Sequence, residues 1–101
     1  MKLPETIKIG DVEYKIQKKS FIFDSNIAGR INYHKKTVEL KKDASERTDE
    51  DSFFHEIAHG ILKELEFNHP KIASFRNNEE VVQEMGLLLR TIFIDLVEKQ
   101  K

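Results

Sequence analysis

The chain has 101 residues, no cysteine, and 17 basic against 18 acidic residues for a formal net charge of -1. That length suits one compact domain, and a hydrophobic fraction of 39% beside 35% charge is that of a globular chain rather than a disordered one. The near-neutral balance gives no electrostatic reason to expect nucleic acid or an anionic membrane as partner, and the lack of thiols excludes disulfides and thiolate metal sites.

The opening segment, Met1 to Lys8, carries no apolar run of the signal-peptide kind. The longest apolar stretch, Gly86 to Val97, is interrupted by Arg90 and Asp95. A cytoplasmic protein is the expectation. From Thr6 to Gln17 the pattern is that of a hairpin: Ile7 and Ile9 alternate with polar residues, Gly10-Asp11 supplies a turn, and Val12, Tyr14 and Ile16 alternate again. Phe21-Ile22-Phe23 reads as a further extended piece, followed by a loop through Asp24-Ser25-Asn26. Gly29 to Leu40 reads as a second hairpin, turning at His34-Lys35-Lys36-Thr37. The expected product is a small antiparallel sheet with one face for the core.

The period then changes. Thr48 followed by Asp51 resembles a capping box, and Phe54, Ile57, Ala58, Ile61 and Leu65 fall on one helical face, ending near Phe67 before the breaker Asn68-His69-Pro70. After a short segment from Lys71 to Arg76, Asn77-Asn78 offers an N-cap. Val82, Met85, Leu89, Ile92, Phe93 and Leu96 then mark a second long helix, with Leu87, Ile94 and Val97 widening its apolar surface. The fold class is therefore α+β: an N-terminal sheet packed against two long helices.

The chemistry lies in His55-Glu56-Ile57-Ala58-His59. Histidines four apart project from one helical face and can share one tetrahedral zinc ion, while Glu56, about 100° around the helix, is placed to take a proton from an activated water. With four histidines in the chain, on the order of 0.02 such matches would arise by accident, so the motif outweighs a reading as solvated surface histidines. A catalytic zinc needs a third ligand. Leu65, six residues after His59, excludes the longer three-histidine pattern. Glu79 shares a face with Val82, Gly86 and Met85 and is the preferred carboxylate, with Glu80, nearer the polar side, as the alternative. The competing account is that both simply complement the helix dipole. Gly86, unfavourable within a helix by about 1 kcal/mol against Ala, is explained if the two helices approach closely there.

His55 to His59, followed by an N-E-x-x-x-Q-x-M-G pattern from Asn78 to Gly86, resembles the gluzincin arrangement, in which a glutamate about twenty residues after the second histidine is the third ligand. The plan of Gly29 to Leu96 is similar to phage and prophage zincin-like proteins and to the core of ImmA/IrrE-type metallopeptidases. That resemblance implies a single zincin-like domain over residues 1–101, with Zn2+ held by His55, His59 and Glu79, Glu56 as general base, and a protein or peptide as substrate. It departs at Gln83, where the pattern carries Asp or Asn bonded toward a ligand histidine; a glutamine oxygen can also accept from an imidazole N–H. Tyr33, His34 and His69 are the candidates for an oxyanion donor. A strand edge from Thr37 to Leu40 would hold a substrate chain by β-augmentation. The alternative function is a non-catalytic, zinc-stabilised binding or regulatory module, with Leu87, Ile94 and Val97 forming a partner face or a homodimer contact through the last helix.

Overall fold

The computed structural model describes residues 2–20 and 28–100. The piece expected at Phe21-Ile22-Phe23 and the loop after it lie outside the described residues. Four strands, β1 (Thr6–Ile9), β2 (Val12–Lys19), β3 (Gly29–Asn32) and β4 (Thr37–Lys41), precede α1 (Glu46–Asn68). A 3-10 turn (Pro70–Ile72), a short α2 (Ala73–Arg76) and α3 (Glu79–Lys99) complete the chain. The architecture is α+β, a four-stranded sheet packed against helices.

Both expected hairpins form, with Ile7 opposite Tyr14 and Ile31 opposite Val38. Gly10, at φ +61°, occupies the left-handed region that the two-residue turn requires. In the second turn the Asn32 side-chain oxygen accepts from the Lys35 backbone N–H at 2.9 Å, and Lys36 is left-handed at φ 55°. The sheet is nevertheless mixed rather than antiparallel. Its order is β1-β2-β4-β3, and the second half of β2 runs parallel to β4, with Lys15 opposite Thr37 and Lys19 opposite Lys41. Alternation assigns each side chain to a face but says nothing about which hairpin edges meet or in what direction. As a consequence Thr37–Leu40 lies in a strand paired on both sides and cannot accept a further chain. Among the described residues β3 is the outer strand beside it.

One sheet face supplies Ile9, Tyr14, Val38 and Leu40 to a core with Phe53, Phe54 and Ile57 of α1. The other face buries a charge. Glu39 is fully enclosed, bonded to Arg30, to Lys19 Nζ at 3.0 Å and to the Thr37 hydroxyl at 3.2 Å. Burial alone would raise its pKa; the hydrogen-bonded Arg30 and Lys19 more than offset this and hold it below the ordinary 4.5. A lowered carboxylate pKa contributes stability that is complete above the ordinary value and is lost as pH falls through the folded value. Glu39→Gln is therefore expected to lower unfolding free energy by roughly 1.5–3 kcal/mol at neutral pH, the range for bonds to a charged group. Urea titrations should show the gap to wild type closing as the solution is acidified below the carboxylate range.

The α1 helix begins earlier than the Thr48-Asp51 pattern implies. Ser45 is the cap, its hydroxyl oxygen accepting the Thr48 backbone N–H at 3.1 Å. At α3 the expected cap is found: the Asn78 side-chain oxygen accepts from Glu80 N at 3.1 Å and Val81 N at 3.3 Å, which makes Glu79 the first helical residue. Only the first half of α3 is well covered. Val82 and Gly86 are buried against α1, whereas Ile92, Phe93 and Leu96, expected in the core stripe, remain 58%, 45% and 54% exposed. The helix outruns the surface it packs on.

Candidate metal centre

The site sits where α1 crosses the start of α3. A Cβ placed on Gly86 would lie 3.1 Å from both Cα and N of His55 and 3.3 Å from the Phe54 carbonyl carbon, all of them backbone atoms. Gly86 is thus what lets α3 lie directly on the His55 turn, as its position within a helix suggested. Gly86→Val should force the helices apart, destabilising the fold by about 1–3 kcal/mol as overpacked sites do. Metal affinity should fall with it, measurable by competition with a chromophoric chelator.

His55 and His59 lie with ring centroids 4.9 Å apart, both half-buried. The Glu79 carboxylate meets them from α3: Oε2 is 3.1 Å from His55 Nε2 and Oε1 is 3.3 Å from His59 Nε2. One ligand atom from each of the three residues falls within a mutual 4.8 Å, and this group could hold a metal ion. Neutral imidazoles and a carboxylate suit a borderline ion such as zinc, and bonds of about 2.0–2.1 Å in a tetrahedron set ligand atoms about 3.3–3.4 Å apart, close to the two spacings found. Glu80 is outside this group.

The surroundings favour the ligand forms. The Gln83 side-chain oxygen is 3.0 Å from His55 Nδ1. An amide oxygen only accepts, so this contact suits a proton on Nδ1, the tautomer that leaves Nε2 available to a metal ion. The longer glutamine arm therefore does reach the histidine. Burial lowers the His59 pKa, Glu79 opposes this, and His55 and Arg76 reinforce it; the net effect favours the neutral imidazole. Glu56 is buried beside the two histidines. Burial raises its carboxyl to about 7; the His55 imidazole lowers it, the Glu79 carboxylate raises it, and the Ile31 backbone N–H that bonds to it lowers it.

A cleft of about 430 Å3 opens over the group, walled by Gly29, Arg30 and Ile31 of β3, by Tyr33, and by Arg76 and Asn77. Of the three oxyanion candidates, Tyr33 alone lines it. Its hydroxyl donates to the His59 backbone carbonyl at 3.2 Å, and burial chiefly pushes its pKa to about 12, so the proton stays on. His34 is exposed in the β3–β4 turn and His69 is exposed at the end of α1; neither borders the cleft. Arg76 and Asn77 went unnoticed in the sequence. Their signal was adjacency to the Asn78 cap, which necessarily sets the preceding residues beside Glu79.

Among the described residues no helix is long and apolar enough to cross a membrane. Compared with protein-family models, curated proteins and solved structures, the chain finds no match.

Proposed function

We propose that the chain is a zinc-dependent hydrolase acting on peptide bonds, with His55, His59 and Glu79 as ligands and Glu56 as general base. The observation that carries this reading is the convergence of two α1 imidazoles on the two oxygens of one α3 carboxylate, at 3.1 and 3.3 Å. The group contains three donors, the number that leaves a tetrahedral ion one open position, and it faces a cleft. A bound zinc ion would supply the Lewis acidity that activates water and polarises a carbonyl. Glu56 would take the proton released by the attacking water and return it to the departing amine. Gln83 holds the His55 ring in its ligand orientation. The substrate chain would extend along β3, whose Gly29, Arg30 and Ile31 border the cleft, rather than along the interior β4. The similarity to phage and prophage ImmA/IrrE-type cores, and with it a cytoplasmic setting, belongs to the same proposal and rests on the paired motifs.

A second reading, a non-catalytic zinc-stabilised module, draws on α3, where Leu87 and Val97 of the expected face are exposed together with Leu88, Ile92, Phe93 and Leu96, while Ile94 is half-buried. A partner or a second copy of the chain would dock there. Incubating the zinc-loaded chain with a mixture of unstructured peptides separates the two readings. Cleavage that a chelator abolishes and zinc restores is the expected result. A chain that binds zinc stoichiometrically and cuts nothing would leave the second reading in place.

A further inference from the structure

Two arginines line the cleft, and they are not equivalent. Arg30 is engaged by the buried Glu39 on the far face of the sheet. Arg76 is held differently: its Nε lies 2.6 Å from Glu66 Oε2, and both atoms are shielded from solvent without hydrogen-bond alignment. Among the described residues Glu66 is its one ion-pair partner. The Arg76 side chain as a whole is 28% exposed although its Nε is buried. Arg76 borders the same cleft as His55, Glu56, His59 and Glu79. A guanidinium anchored through Nε keeps two parallel N–H donors for a second, planar anion.

We propose that Arg76 binds a carboxylate of the substrate chain beside the metal group, selecting peptides with an acidic function close to the bond that is cut. The carboxylate is either the C-terminus of the peptide or an Asp or Glu side chain. The proposal rests on the metallohydrolase reading and adds a substrate class to it. Asn77, on the same wall, offers an amide beside that anion.

Three hydroxamate dipeptides test it by calorimetric binding to the zinc-loaded full chain, without any turnover. They are a Leu-Gly compound with a free C-terminus, its C-terminal amide, and a Leu-Asp amide. The neutral amide should bind, and one or both acids should bind on the order of tenfold tighter or more, as a charge-assisted bidentate pair provides. Whichever acid gains identifies the source of the carboxylate. Arg76→Gln should erase that preference and leave the neutral amide unchanged, whereas loss of a purely structural tie would weaken all three alike. Arg76→Lys, which keeps the charge but not the fork, should retain part of the preference, and it serves should the glutamine variant not fold. Equal affinity for the three probes in wild type, or a preference that survives Arg76→Gln, would overturn the inference while hydroxamate binding left the zinc site standing. If none of the three binds, the zinc reading falls and takes the inference with it.

Discussion

Glu56→Gln is expected to leave zinc binding unchanged and to lower peptide cleavage roughly 10²–10⁴-fold, the range for removing a positioned general base. The side chain is near-isosteric and keeps an oxygen to accept from the Ile31 backbone N–H, so the α1–β3 contact should survive. What disappears is the ability to take a proton. Glu56 is buried between the helix and the outer strand, where an amide is tolerated at least as well as a carboxylate. Circular dichroism and metal content should therefore match wild type while turnover collapses. Full activity in the variant would remove Glu56 from the mechanism.

Glu79→Ala carries the second large effect. It deletes the one carboxylate that touches both imidazoles, leaving a two-histidine site. Zinc affinity should fall by more than the roughly 10–100-fold typical of losing an outer partner. Glu79 is two-thirds exposed and sits at the first turn of α3, so folding should change little, because Asn78 still caps the helix. Glu80→Ala, one residue on and outside the group, should keep its zinc. The opposite pattern would move the ligand to Glu80.

Much of this arrangement was legible because it is helical. A spacing of four fixes two histidines on one face, and an Asn-Glu pair ahead of an apolar period fixes a cap and the residue after it. Gly86 was legible too, since a glycine kept inside a long apolar helix implies close approach by something, here the backbone of His55. The sheet was harder. Hairpins announce themselves through Gly10-Asp11 and through the polar run after Tyr33, but the parallel β2–β4 join is a long-range choice with no local residue to signal it. The same choice made β3, rather than Thr37–Leu40, the outer strand among the described residues. Ser45 was missed because its cap bond goes to Thr48, without the acidic partner that a capping box displays. The far end of α3 misled for a related reason. A helical period marks an apolar face, and whether anything covers Ile92, Phe93 and Leu96 depends on where α1 and the sheet stop.

The central claim, one ion shared between α1 and α3, is tested most directly by zinc K-edge X-ray absorption on the full chain after loading and desalting. The account predicts one zinc per chain, light-atom ligands at about 2.0–2.1 Å and the multiple-scattering signature of two imidazoles, with the zinc content and the two-imidazole signature both lost after His55→Ala. A chain that retains no zinc, or a zinc shell without imidazole, would contradict it.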